Sequence, residues 1–198
     1  MQRHDLVARR RRRYKTTTRA NPRLPVAPNL LARDFSAERP NAKWLADITY
    51  IDTHEGWLYL AAVLDAYSRR IVGWSMQTRM TTKLVEDALQ MALGQRSIDT
   101  SLLHHSDQGS QYTSHDYQAL LAQAQITASM SGTGNCYDNA MMESFFATLK
   151  FECADYRFAT RAAARYAIFE FIEVWYNRQR RHSALGYRSP VVFEALSN

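Results

Sequence analysis

Cysteine is scarce in this sequence: Cys136 and Cys153 are the only two among 198 residues. Two thiols in a chain of this length cannot make a disulfide framework and read as buried or free groups. Neither has the Cys-x-x-Cys neighbour or His pair of a zinc site, so a zinc module is excluded. No apolar run approaches the ~18–20 residues that a membrane span requires. Met1-Gln-Arg-His-Asp5 is not followed by the apolar stretch of a secretory signal. Gly132 and Gly134 lie in Ser131-Gly-Thr-Gly-Asn135, which lacks the Lys-Ser/Thr of a nucleotide-phosphate loop. There is no internal repeat. The expectation is a cytosolic protein with no membrane partner and no nucleotide cofactor.

What is present is enough to fold. Apolar residues make up 46% of the chain and aromatic ones 12%, too much for a disordered protein and suited to one compact domain with appendages. The net charge of +6 is unevenly spread. Residues 1–33 hold ten Arg or Lys against the single acid Asp5. Residues 34–149 hold seven basic and thirteen acidic side chains, and residues 150–198 eight basic and five acidic. An acidic body between basic flanks suits a protein that grips a polyanion at its ends and holds cations in its middle.

The first 33 residues read as an arm. Arg9, Arg10, Arg11, Arg12 and Arg13 repel one another, and Pro22, Pro25 and Pro28 forbid a regular ladder. The segment is expected to stay extended until a phosphate backbone neutralises it. Residues 34–155 form the core and residues 156–198 a C-terminal helix and basic tail that complete it. Trp44–Ile51, Trp57–Leu64 and Ile71–Met76 read as three strands of an antiparallel meander, rich in β-branched and aromatic residues. Thr82–Leu93 has helical apolar spacing. A strand at Leu102–Ser106, a helix at His115–Ala124 and a strand at Ile126–Met130 follow. Helices are then expected over Asp138–Phe151 and Arg161–Arg178. The order predicts an α/β protein with a mixed five-stranded sheet flanked by helices.

Three acids stand out. Asp47 sits inside an apolar strand, where a carboxylate costs several kcal/mol unless a cation or hydrogen bonds compensate. Asp107 lies just past a strand end, and Glu143 sits on a helix among Met141, Met142, Phe145 and Phe146. Taken singly, each also fits a cap, a turn or a solvated edge. Together they give Asp, Asp, 35 residues, Glu, which resembles the spacing of the retroviral-integrase superfamily. Trp44-Leu-Ala-Asp-Ile-Thr-Tyr-Ile51, His105-Ser-Asp-Gln-Gly-Ser-Gln-Tyr112 and Asn135-Cys-Tyr-Asp-Asn-Ala-Met-Met-Glu-Ser-Phe-Phe146 resemble three blocks of the transposases of insertion-sequence family three. Tyr176-Asn177, Arg181-His182 and Leu185-Gly-Tyr-Arg-Ser-Pro190 resemble the C-terminal block of that family.

The resemblance implies a ribonuclease-H-like fold and a DDE-type transposase that cuts transposon ends and joins them to target DNA. It implies two Mg²⁺ ions, with Mn²⁺ as a substitute, bridged by Asp47 and completed by Asp107 and Glu143. Oxygen donors suit Mg²⁺, and a metal pair ~3.5–4 Å apart activates the nucleophile and stabilises the leaving oxygen. Asn139 and Lys150 flank Glu143 on nearly the same helical face, where related integrases hold the DNA end. Arg178, Arg180, Arg181 and His182 read as a phosphate grip beyond the last helix. His105 shares a strand face with Asp107 and is expected to support it, or to be a satisfied structural histidine. The Ser131–Asn135 loop is expected to close over DNA. Asp65 reads as a turn residue and Asp138 as the N-cap of the Glu143 helix.

The partners implied are transposon-end and target DNA, further copies of the chain assembled on DNA, and an upstream helix-turn-helix partner or fused segment. Two other classes stay open: a catalytically silent DNA-binding or assembly fragment of a transposase, and a ribonuclease-H-like nuclease without strand transfer. The intact acid triad speaks against the first and the C-terminal block against the second.

Overall fold

The computed structural model describes residues 26–98, 101–132, 136–154 and 156–196. The expectations placed on Arg9–Arg13 and on residues 133–135 of the glycine loop lie outside these residues. The chain opens with β1 (Lys43–Ile51), β2 (Leu58–Asp65) and β3 (Ile71–Gln77), then runs through α1 (Thr82–Gln95), β4 (Leu103–Ser106), α2 (His115–Gln123) and β5 (Thr127–Met130). A 3₁₀ turn at Cys136–Asn139 leads into α3 (Ala140–Glu152), followed by α4 (Arg161–Phe169), a π-helical segment (Glu170–Tyr176) and α5 (Pro190–Ala195). The sheet order is β3-β2-β1-β4-β5. The meander is antiparallel, whereas β1–β4 and β4–β5 are parallel, giving the mixed five-stranded sheet expected from the sequence.

Helices cover both sheet faces, which is why the strands are apolar on both sides. Leu45, Ile51, Leu60, Leu64 and Ile71 pack with Met142, Phe145 and Leu149 of α3 and with Ile168 and Ile172 beyond it. Trp44, Ala61, Val63 and Val72 face the other way, onto Leu84, Val85, Ala88 and Leu89 of α1 and Tyr117 and Leu121 of α2. α1 crosses β3 so closely at Gly73 that a Cβ there would lie 2.2 Å from the Ala88 carbonyl oxygen. Strand alternation places Asp47 on the same side as Leu45 and Ile51, facing α3.

Two expectations are corrected here. The helix read over Arg161–Arg178 is α-helical only to Phe169, and then widens. Asn177 N–H donates to the Ile172 carbonyl at 3.0 Å and Arg180 N–H to the Trp175 carbonyl at 2.7 Å, both i to i+5 bonds. The widening buries Phe171, Ile172 and Tyr176 and sets Asn177 against the edge strand, where its amide accepts from Ile71 N–H at 2.9 Å and donates to the Ile71 carbonyl at 3.0 Å.

The separate arm also stops short of residue 33. Leu31 is buried in the core, Ser129 Oγ accepts from the Leu30 and Leu31 N–H groups, and the Pro28 carbonyl accepts from Met130 N–H. Residues 26–33 are therefore seated along β5, because Leu31 gains a core position and Ser129 supplies the bonds that extended backbone needs.

Candidate active site

The three acids come from three elements that meet over the middle of the sheet, at β1, the end of β4 and α3. Asp47 is mid-strand in β1, and its Oδ1 accepts from the Ile48 N–H at 2.7 Å. The parallel ladder pairs Lys43 with Leu103, Trp44 with His104 and Leu45 with His105, so the chain leaves β4 at Asp107 beside Asp47. Asp107 Oδ1 accepts from Gly109 N–H at 2.9 Å, a tight turn that fixes the carboxylate. A Cβ on Gly109 would lie 2.9 Å from that same oxygen, so a larger residue there would push on the carboxylate. Glu143 lies in the first turn of α3 and is half-buried.

Their fields overlap. Burial, then the charges of Asp107 and Glu143, push the Asp47 carboxyl up to about 8, against the lowering effects of the Ile48 N–H and Lys150. Burial also raises Asp107, opposed by its bond from Gly109. Among the described residues, no three His, Cys, Asp or Glu side chains are gathered closely enough to enclose one ion. The acids share a field rather than a finished cage, as expected for like charges that repel. The donor set still fits a hard divalent cation: it is all oxygen, and Asp47 carries a desolvation and like-charge penalty that a cation would relieve.

Lys150 and Asn139 both turn toward β1. The Lys150 ammonium lies 4.8 Å from the centre of the Tyr50 ring and close enough to Asp47 to lower that carboxyl. Burial depresses its own ionisation and Asp47 partly restores it. Asn139 is buried, donates Nδ2 to the Ala46 carbonyl at 3.1 Å, and leaves Oδ1 without a hydrogen bond. It thereby pins the start of α3 to the residue before Asp47.

Asp138 is not the cap of the Glu143 helix. Asn139 holds the N-cap position, and Asp138 turns away to accept from Asn29 Nδ2 at 2.9 Å, Arg33 Nε at 3.0 Å and Gly132 N–H at 3.1 Å. Burial would raise its carboxyl, but Arg33, the Gly132 N–H and the nearby His105 together hold it below the usual range. His105 bonds Ser129 Oγ through Nδ1 at 2.9 Å, and its Nε2 is buried without a hydrogen bond. Burial lowers His105 to about 4, so it is neutral at physiological pH. His104 points to the opposite face, where Nε2 meets the Tyr117 hydroxyl at 3.0 Å. Asp65 accepts from the Asn41, Tyr67 and Ser68 N–H groups, as a turn carboxylate does.

Arg180 lines an open cleft of about 440 Å³ together with Glu143, Ser144, Ala147 and Thr148 of α3. Arg178 and Arg181 are exposed, and Arg178 Nε donates to the Glu173 carbonyl at 3.1 Å. Two residues near these sites were not singled out from sequence. The Tyr112 hydroxyl is buried, has no hydrogen bond and feels both Asp47 and Asp107. It lies in the same block as Asp107, which was the available signal. Arg69 acts on His182 and Tyr176 from the β2–β3 turn, and nothing in the sequence around it marks that role.

Comparison with known proteins places these residues in a wider setting. Two families described as "Integrase core domain" match residues 37–136 and residues 124–190. The chain is 50% identical over 189 residues to the insertion element IS600 uncharacterized 31 kDa protein of Shigella sonnei, covering 95% of this chain and 70% of that protein. It is 49% identical over 195 residues to transposase InsF of insertion sequence IS3A from Escherichia coli strain K12, covering 98% of this chain and 68% of that protein. A chain of the simian T-cell lymphotropic virus intasome superposes with a TM-score of 0.67 at 17% identity, over 88% of this chain and 60% of that one. The HTLV-2 integrase catalytic core domain, solved with magnesium, gives 0.62 at 15% identity, over 80% and 99%. At these identities the structural likeness establishes the fold, which is that of integrase catalytic cores.

Proposed function

Because this chain belongs to the integrase-core family of insertion-sequence transposases, we propose that it is a polynucleotidyl transferase in which Asp47, Asp107 and Glu143 are the catalytic acids. In the proposed reaction, water opens a phosphodiester at a transposon end, and the freed 3′-hydroxyl then displaces the leaving oxygen of a second DNA phosphate. Asp47, Asp107 and Glu143 would hold divalent Mg²⁺, which would supply activation of the attacking oxygen and charge stabilisation of the leaving one.

The observation that carries the reading is the Asp47 carboxyl, raised to about 8 by burial and by Asp107 and Glu143. A carboxylate held at such cost in a strand fits a cation site better than a structural one. The backbone N–H groups of Ile48 and Gly109 aim Asp47 and Asp107, and Asn139 fixes the origin of the helix that presents Glu143. Lys150 stands on the same helix two turns on and takes an end phosphate rather than a metal, since an ammonium repels cations. Arg9–Arg13 would contact the DNA backbone, and several copies would assemble on DNA.

The test is incubation of the chain with labelled transposon-end DNA, with and without Mg²⁺ or Mn²⁺. Joined products that need the metal, and that vanish in Asp47→Asn, support the proposal. End DNA bound but never cut would make the chain a DNA-binding or assembly part, and cleavage without joining would make it a nuclease.

A further inference from the structure

The C-terminal block sets two nitrogen-bearing side chains, Arg180 and His182, against one ring, that of Tyr176. Arg180 leaves the π-helical segment on a doubled carbonyl: both Gln179 and Arg180 donate their N–H to Trp175 O, at 2.8 and 2.7 Å. Its guanidinium carbon then lies 5.3 Å from the Trp175 ring centre and 6.0 Å from that of Tyr176. Stacking of this kind orients a guanidinium while leaving its N–H edge for another acceptor. The Nε of Arg180 is buried and has no hydrogen bond.

His182 stands edge-on to Tyr176, with ring centres 5.2 Å apart, and its Nε2 is also buried without a partner. Its backbone is clasped by the turn that follows: His182 N–H donates to the Arg188 carbonyl and Tyr187 N–H to the His182 carbonyl. Arg69 stands in the β2–β3 turn with a φ of 61°, and its charge is near enough to act on this site. Arg69 and Arg180 both bear on His182 and on Tyr176. Glu143 and Glu152 line the cleft from α3, yet neither Arg69 nor Arg180 forms an ion pair with any carboxylate among the described residues. Two cations brought together beside an imidazole, with buried polar atoms left unbonded, are costly unless an anion joins them.

We propose that Arg69, Arg180 and His182 form a pocket for one backbone phosphate of a DNA strand lying along the outward face of α3. The cleft that Arg180 shares with Glu143, Ser144 and Thr148 gives the strand its path, from this pocket to the acid. A guanidinium edge and an imidazole nitrogen match the oxygens of a phosphodiester. Of the four residues expected to grip phosphate beyond the last helix, Arg180 and His182 belong to the pocket, while Arg178 and Arg181 stand exposed outside it. The identity of the anion as DNA rests on the transposase reading above.

The experiment uses the full chain and two probes. In the first, inorganic phosphate is titrated while the Arg side-chain Nε–H and His ring signals are followed by NMR. Arg180 and His182 are expected to shift in the parent, and the His182 shift is expected to be lost in Arg180→Gln. In the second, transposon-end DNA binding is measured against salt. Arg180→Gln and Arg69→Gln should each weaken binding roughly threefold to tenfold and reduce the salt slope by about one, as for one lost phosphate contact. Arg180→Lys keeps the charge and the aromatic stacking but loses the Nε–H donor, and should fall between. It also carries the test if the glutamine variant does not fold. No phosphate-induced shift at either residue, or a parental salt slope in both Arg180 variants, overturns the pocket. A phosphate shift combined with parental DNA binding overturns its assignment to DNA. Loss of joining in Asp47→Asn is scored separately, so failure of the pocket and failure of the transferase reading give different results.

Discussion

Asp107, one residue past β4, continues the register that faces Asp47 in β1: the ladder pairs Lys43 with Leu103 and Leu45 with His105, an offset of 60, and the same offset separates the two acids. In a parallel pair, residues in register project to the same face. The strand pairing therefore brings the two carboxylates side by side, and their mutual repulsion follows from the hydrogen-bond ladder itself. Glu143 joins them from α3, which packs on that face through Met142, Phe145 and Leu149.

The acids are expected to separate chemistry from folding. Asp47→Asn, Asp107→Asn and Glu143→Gln should each abolish metal-dependent joining while the circular-dichroism spectrum stays that of the parent. Near-full joining by any of the three would remove that residue from the site.

Asp47 also predicts a pH dependence for the metal-free protein. Its carboxyl is raised from 3.8 to about 8 on folding, so the native state holds a proton that the unfolded state gives up. Stability is then fully present below about pH 4 and declines as pH rises toward 8. With solvent screening of a half-buried group, Asp47→Asn should recover about 1–2 kcal/mol at pH 8, or ~3–6 °C in Tm. Thermal melts in EDTA across pH 5 to 9 measure this, and a parent and variant that melt in parallel would refute it.

Lys150 should behave in the opposite sense to Glu143. Its charge lowers the Asp47 carboxyl, so Lys150→Ala should raise that group further and weaken end-DNA binding, with metal affinity kept or slightly increased. Glu143→Gln should bind DNA normally and metal poorly. DNA titration and metal-dependent thermal shift, run on both variants, distinguish them. End-DNA binding unchanged in Lys150→Ala would show that the Tyr50 contact is the whole of its role.

Gly109→Ala tests how tightly Asp107 is aimed. The added methyl would sit 2.9 Å from Asp107 Oδ1, and the cheapest escape is rotation of that carboxylate. Joining should fall at least tenfold while Tm moves by only a few degrees, since a side-chain end yields more easily than backbone. An active Gly109→Ala protein would mean that Asp107 tolerates more than one orientation.

Asp138 ties three segments together, and its loss should be felt in stability. Asp138→Ala leaves Asn29 and the Gly132 N–H without their protein acceptor, at a cost of about 1–2 kcal/mol because water reaches these donors. Its carboxyl is held low on folding, so this contribution is present above the ordinary carboxylate pKa and disappears as pH falls through the folded value. Chemical denaturation at pH 7 and pH 3 should show a gap between parent and variant that narrows at the lower pH.

The sheet, the helices and the three acids were legible because each is written locally: strand periodicity around Asp47, helical spacing around Glu143, and the 35-residue interval between Asp107 and Glu143. What escaped was set by distant partners. Asp138 looks like a cap from its neighbours, but its acceptors serve Asn29 and Arg33, more than a hundred positions earlier. Leu31 belongs to the core although the arginines before it suggest a free arm. The widening after Phe169 follows from fitting Tyr176 and Asn177 to the sheet at once, a constraint that helical periodicity does not carry. Arg69 is placed by a left-handed turn residue, and its neighbours in sequence give no sign of His182.

The seating of Asn177 on Ile71 and of Pro28 against Met130 has a consequence for the proposed assembly of several copies. These contacts lie on the two outermost strands, β3 and β5, where unpaired N–H and C=O groups would otherwise offer a template for strand addition. An amide side chain closes one border and an extended stretch of main chain closes the other. At those points the sheet cannot grow by recruiting a neighbour's strand. The proposed assembly on DNA would then use helical surfaces, where Tyr166, Phe169 and Val174 present apolar area to solvent.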